Sequence, residues 1–275
     1  MTRALVLGGG GVTGVAWELG LLAGLAERGL DLTDADVVVG TSAGSVVGAQ
    51  VCSGTPVREL YAAQLRAPRG EVAARLGVGV LLRWAWAGAR GRDEARARVG
   101  AMALAARTPS EASRRAVIEA RLPVREWPAR RLLVTAVDAA SGEFVVFEAG
   151  SGVSLVDAVG ASCAVPGVWP PVTIGDRRYV DGGVRSAVNA DLARDSEAVV
   201  VLAPVSSGFG PAPRLAAQVA GLRSAGSRVA VVAPVAGARR AIGRNVLDPA
   251  RRAGAARAGF AQAAAVAGEV AAVWG

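Results

Sequence analysis

Short apolar runs alternate along this chain with segments of helical spacing. Residues 3–7 (Arg-Ala-Leu-Val-Leu) read as a buried strand, and 15–28 as a helix with Trp17, Leu21, Leu22 and Leu25 on one face. Gly29 suits its C-terminal cap. Residues 36–39 predict a second strand and 43–52 a second helix. Such an opening belongs to an α/β fold with a mainly parallel central sheet and helices on both faces.

Helices are predicted over 56–65 and 109–122. They bracket an Arg- and Ala-rich stretch, 70–107, with Leu81-Leu82-Arg83-Trp84-Ala85-Trp86 at its centre. The region around 56–122 is therefore expected to form a helical cap insert. Strands over 132–137 and 144–147 flank a Ser141-Gly142 turn, and strands over 172–174 and 178–180 flank Gly175-Asp176. A helix over 155–164 stops at Pro166-Gly167. Buried strands follow at 198–202 and 229–232, then one long Ala-rich helix over 249–274. Neither repeats nor linker-like segments divide the chain, so one domain is expected over 1–275.

With 275 residues, 52% of them hydrophobic, the chain can bury a large core. Cys52 and Cys163 make neither a disulfide framework nor a zinc-ligand pattern, which fits a reducing, cytoplasmic setting. The uncharged run over 37–57 carries Gly, Ser, Thr, Gln50 and Pro56, too polar for a spanning helix. Residues 4–17 are broken by four glycines and make a poor signal segment. The net charge is +8, and all 31 basic residues are Arg. Their scatter fits a compositional bias as well as an anionic partner, and the absence of a nucleic-acid motif argues against a nucleic-acid partner.

One motif changes the picture. Gly40-Thr41-Ser42-Ala43-Gly44 follows an apolar strand and opens a helix, the sequence form of a nucleophile elbow. A tight turn with a capping serine is the alternative. Most such serines use a histidine base, yet this chain has no histidine and no lysine. The base must then be a carboxylate. Asp181 ends a predicted strand and precedes Gly182-Gly183, although Asp-Gly-Gly is also an ordinary turn sequence. Asp138, Glu18 and Asp157 are weaker candidates.

The loop Gly8-Gly9-Gly10-Gly11-Val12-Thr13-Gly14 exposes backbone amides at a helix N-terminus, suited to a phosphate or an oxyanion. It also matches the dinucleotide fingerprint Gly9-x-Gly11-x-x-Gly14, which keeps a nucleotide-binding oxidoreductase open. The second strand, however, ends in Gly40 without the expected acidic residue. No metal or cofactor is called for.

Together the glycine loop, the elbow, the block Ala161-Ser162-Cys163-Ala164-Val165-Pro166-Gly167 and Asp181-Gly182-Gly183 resemble the patatin-like phospholipase family over nearly the whole chain. The resemblance implies a three-layer α/β/α fold and a lipid acyl-ester hydrolase without cofactor. Ser42 would be the nucleophile and Asp181 the base, with the amides around Gly9, Gly10 and Gly11 as oxyanion hole. Gly8, Gly14, Gly40, Gly44, Gly182 and Gly183 would support these loops. The family loop usually carries Arg or Lys where this chain has Thr13, so the resemblance speaks for ester hydrolysis more than for phospholipid. A non-catalytic lipid-binding protein on the same fold is a further alternative. Trp84 and Trp86, with Arg83, Arg90 and Arg92, suit either a buried cap helix or a peripheral membrane contact.

Overall fold

The computed structural model describes residues 1–67, 74, 92–205 and 215–275. Arg83, Trp84, Trp86 and Arg90, with the membrane contact expected of them, lie outside the described residues. Among the described residues, eight strands form one sheet. They are β1 (Arg3–Leu7), β2 (Val37–Gly40), β3 (Arg131–Asp138), β4 (Phe144–Phe147), β5 (Val172–Ile174), β6 (Arg177–Asp181), β7 (Ala198–Leu202) and β8 (Arg228–Val232). The pairs β3–β2, β2–β1, β1–β7 and β7–β8 are parallel, whereas β4, β5 and β6 pair antiparallel.

The helices are α1 (Gly11–Ala26), α2 (Ala43–Cys52), α3 (Val57–Leu65), α4 (Arg92–Leu104), α5 (Glu111–Arg121), α6 (Leu155–Ser162), α7 (Leu215–Ser224), α8 (Ala236–Ile242) and α9 (Arg252–Trp274). Side chains of β1 alternate between the faces, as strand geometry requires. Leu5 and Leu7 join the core beneath α1, α2 and α9, while Ala4 and Val6 join the core of the opposite face with Val219 and Leu222 of α7. Of the helices in the 56–122 stretch, α3 packs on α1 and α9, α4 on β3 and β6, and α5 on α6. No described helix is long and apolar enough to cross a membrane.

The residue register along β3 positions the candidate site. Val134 pairs with Gly40 of β2 and with Phe147 of β4; Ala136 pairs with Val145 of β4 and with Asp181 of β6. A strand has two edges, so β4 occupies one while β2 and β6 share the other. Since β2 runs parallel to β3 and β6 antiparallel, their C-terminal ends point at each other. Gly40 and Asp181 stop two residues apart along β3, with Thr135 between them.

Two helices run unusually close where glycines remove the side chain. A Cβ on Gly259 of α9 would overlap the Trp17 carbonyl oxygen of α1, and one on Gly20 would overlap that of Ala256. Gly259→Ala is expected to destabilise the protein by about 1–3 kcal/mol through overpacking. Gly268→Ala, exposed on the same helix with open space around it, is expected to stabilise by up to about 1 kcal/mol through helix propensity. Urea denaturation of the two variants measures both.

Candidate active site

Ser42 sits between β2 and α2 at φ 53°, ψ −115°, a left-handed conformation rare for a residue with a side chain. Strain of this kind costs about 1–3 kcal/mol and persists only when surrounding contacts enforce it. Here they do. The Ser42 amide donates to Ser162 Oγ at 2.9 Å, and its carbonyl accepts the Ser45 hydroxyl at 2.7 Å and the Cys163 thiol at 3.3 Å. Gly44 allows α2 to leave the turn directly over β1, because a Cβ there would overlap the Leu7 carbonyl.

The block at 161–167 also holds Asp181, whose amide donates to the Ala164 carbonyl at 3.1 Å. The end of α6 thus brackets both residues, Ser42 through Ser162 and Asp181 through Ala164. A buried polar cluster ties the same two turns from below. Asn189, left-handed at φ 53°, donates from Nδ2 to Thr41 Oγ1 at 3.0 Å and to the Ser186 carbonyl at 2.9 Å. Thr135 Oγ1 donates to Thr41 Oγ1 at 3.0 Å, and a Cβ on Gly182 would strike Thr135. Sequence reasoning passed over Asn189 and Thr135, since a buried Asn or Thr carries no signature in a linear pattern, and gave Ser162 no role beyond its place in the 161–167 block.

Ser42 is 9% exposed and Asp181 5% exposed. Burial raises the Asp181 pKa to about 6, against the lowering influence of the Ser42 hydroxyl, the Gly183 amide and the Arg114 guanidinium. The Gly183 amide donates to Asp181 Oδ1 at 2.7 Å. Near neutral pH this carboxylate is ionised, yet basic enough to take a proton.

The other carboxylates sit differently. Asp138 caps its own turn, accepting the Ala140 and Ser141 amides at 2.9 Å each. Asp157 lies in the first turn of α6, its amide donating to the capping Ser154 hydroxyl and its carboxylate pairing with Arg115. Glu18 is 0% exposed, neither oxygen has a well-formed hydrogen bond among the described residues, and burial, opposed only by the Gly8 amide, holds its pKa well above the usual carboxylate range. Burial thus favours its neutral form, which makes Glu18 a poor candidate for the base. Cys163, beside Ser42, has its thiol pushed to about 11 by burial and by the Asp181 charge, which leaves it a thiol.

In the glycine loop, Gly9 lies against Ser42, where a Cβ would be 3.6 Å from that of Ser42. Its amide, however, donates to the Ala187 carbonyl at 2.7 Å, as that of Gly8 does to Leu202 at 2.9 Å. The expected oxyanion role of Gly9 therefore lacks a free donor. The amides of Gly10, Gly11 and Ala43 have no acceptor among the described residues. Gly14 closes the first turn of α1 onto the Gly10 carbonyl and packs near Ala43 and Pro204. Gly40 packs beneath Ser45. Thr13 turns away from Ser42, its hydroxyl donating to the Val246 carbonyl at 3.2 Å.

A cavity of about 30 Å³ opens on Ser42, lined also by Gly11, Arg114, Arg121, Cys163 and Trp169. It shares Val12, Val15, Val46 and Arg121 with a second cavity of about 530 Å³ between α1, α2, α3 and α5, whose walls are mainly aliphatic. Arg114 is 8% exposed and stacks on Trp169, its guanidinium carbon 4.0 Å from the ring centroid. Neither arginine was singled out in the sequence, where 31 basic residues look alike.

A buried carboxylate with a raised pKa destabilises the fold once it ionises. The folded state holds the Asp181 proton up to about pH 6, while the unfolded chain releases it near pH 4. Native stability is therefore undiminished below about pH 4, declines as pH rises to about 6, and stays lower by roughly 3 kcal/mol above that. Asp181→Asn, which keeps an acceptor for Gly183, is expected to be more stable than the parent by about that amount near neutral pH. The gain should vanish near pH 4, as thermal melts at a series of pH values would show.

A family model described as patatin-like phospholipase matches residues 5–194. Among solved structures, the type III effector ExoU shares 17% identity at a TM-score of 0.42, with 98% of this chain and 53% of that chain covered. VipD from Legionella pneumophila shares 15% identity at a TM-score of 0.38, with 66% of this chain and 46% of that chain covered. This chain spans about half the length of those two structures. The family match takes in the glycine loop, the elbow, the 161–167 block and Asp181, and the chain belongs to the patatin-like phospholipase family.

Proposed function

We propose that this protein is a lipid acyl-ester hydrolase working through a Ser42–Asp181 dyad. The observation that carries the reading is the meeting of a strained serine and a buried aspartate, pKa about 6, at the head-on ends of β2 and β6. Membership of the family supports a lipid ester as substrate. The mainly aliphatic cavity of about 530 Å³, which shares walls with the cavity at Ser42, suits a hydrocarbon chain.

In this mechanism Ser42 Oγ attacks the ester carbonyl carbon while its proton passes to Asp181. The carbonyl oxygen becomes an oxyanion facing the amides of Gly10, Gly11 and Ala43. The tetrahedral species collapses, the carbon–oxygen bond to the alcohol breaks, and Asp181 returns the proton to the departing oxygen. Water then attacks the acyl-enzyme and gives a proton to Asp181. The acid leaves, and the proton returns to Ser42 Oγ. Without histidine, the base stays weak, and more of the acceleration falls to the oxyanion donors.

Ser42→Ala is expected to lower kcat on a medium-chain p-nitrophenyl ester by at least about a thousandfold. An unchanged kcat in the purified variant would remove the proposal. For the parent enzyme, kcat/KM should fall as pH drops through about 6, the pKa of Asp181. Initial rates from acid to neutral pH test this. A limb near pH 4 would instead mean a solvated carboxylate base.

A further inference from the structure

Charge around Ser42 is unbalanced. Two guanidinium groups, Arg114 and Arg121, line the cavity at the serine, and the carboxylate acting on this site is Asp181. Both arginines act electrostatically on the Cys163 thiol beside Ser42. Arg114 already has a role, stacked on Trp169 and lowering the Asp181 pKa. Arg121 has none of this kind. On the same helix Arg115 pairs with Glu119 and Asp157, whereas Arg121 has no ion-pair partner among the described residues. Its main chain is fixed, the carbonyl accepting Gln50 Nε2 at 2.7 Å. Its half-buried side chain lines both the Ser42 cavity and the larger apolar one.

A half-buried cation without a counter-ion among the described residues, lining both the Ser42 cavity and an apolar one, is arranged to receive an anion. A guanidinium offers a fork of donors that matches the oxygens of a phosphate or carboxylate. We propose that Arg121 is a specificity-determining residue that binds an acidic oxyanion of the lipid next to the scissile ester. Two sources carry that chemistry: a phosphate on the alcohol side of the substrate, a few bonds from the ester, or the carboxylate of the released acid. The glycine loop contributes no charge here, because Thr13 is neutral and faces Val246. This inference rests on the hydrolase reading above.

The test compares two substrates of equal chain length, monoacylglycerol phosphate and neutral monoacylglycerol, with parent enzyme and Arg121→Gln. The readout is the ratio of their kcat/KM values. The parent should favour the phosphate ester, and Arg121→Gln should lower the ratio about 10- to 100-fold, the usual worth of a charged hydrogen bond. Arg121→Lys should restore part of it, and added salt should erode the parent's preference. If the anion is the product carboxylate, the variant instead relieves inhibition by added fatty acid. A ratio, salt dependence and product inhibition that all stay unchanged would overturn the proposal. Should the parent hydrolyse neither lipid, the hydrolase reading fails separately. Calorimetric binding of dodecyl phosphate then decides: about tenfold weakening in Arg121→Gln upholds the anion site, and equal binding removes it.

Discussion

Two strands end head-on against the same edge of β3, and the rest of the site depends on that collision. β2 arrives parallel and stops at Gly40; β6 arrives antiparallel and stops at Asp181. Both chains must turn away within a residue or two, because the space ahead is taken. One turns through a left-handed Ser42 and the other through Asp181-Gly182-Gly183. Strain at the serine is held by contacts from a third element, the end of α6, which bonds to both turns. Beneath them, Thr135 and Asn189 both donate to the Thr41 hydroxyl, and at 3.4 Å each they also reach the Gly40 and Gly182 carbonyls at the two strand ends. Half-satisfied, such a buried cluster would be a liability; connected, it fixes one geometry.

The electrostatics follow from the same enclosure. Asp181 is ionised and buried, kept charged by the Ser42 hydroxyl, the Gly183 amide and Arg114 against a desolvation that raises its pKa to about 6. Exposed, it would be a far weaker base, near the ordinary value of about 4. Withdrawal from water thus gives a carboxylate some of the proton affinity that histidine supplies in histidine-based serine hydrolases. At Glu18 burial raises the pKa with only the Gly8 amide to oppose it, and the neutral form is favoured. The two carboxyl groups differ because a hydroxyl, an amide and a guanidinium oppose desolvation at Asp181, and a single amide does so at Glu18.

Much of the fold was legible because its signals are local. Strands at 3–7, 132–137 and 198–202 are apolar apart from Arg3 and Thr135, as a doubly covered sheet requires. Departures have local causes too. The first helix starts at Gly11 and not at 15, since a glycine loop hides a helix start from hydrophobic periodicity. α7 and α8 gave no signal, being short and poor in large apolar residues. Within the glycine loop, composition alone treated Gly9, Gly10 and Gly11 alike, while the fold gives the Gly9 amide to Ala187.

By itself, the sequence determined the chemistry available: a serine in an elbow pattern, carboxylates as the only bases, and glycine amides at a helix start. Those follow from residue identity and nearest neighbours. Which carboxylate meets the serine, which amides stay free and which of 31 arginines faces the site were decided by tertiary structure. The physical reason is that burial and register are collective. A pKa near 6 belongs to an aspartate only once strands, α5 and α6 have together removed water from it.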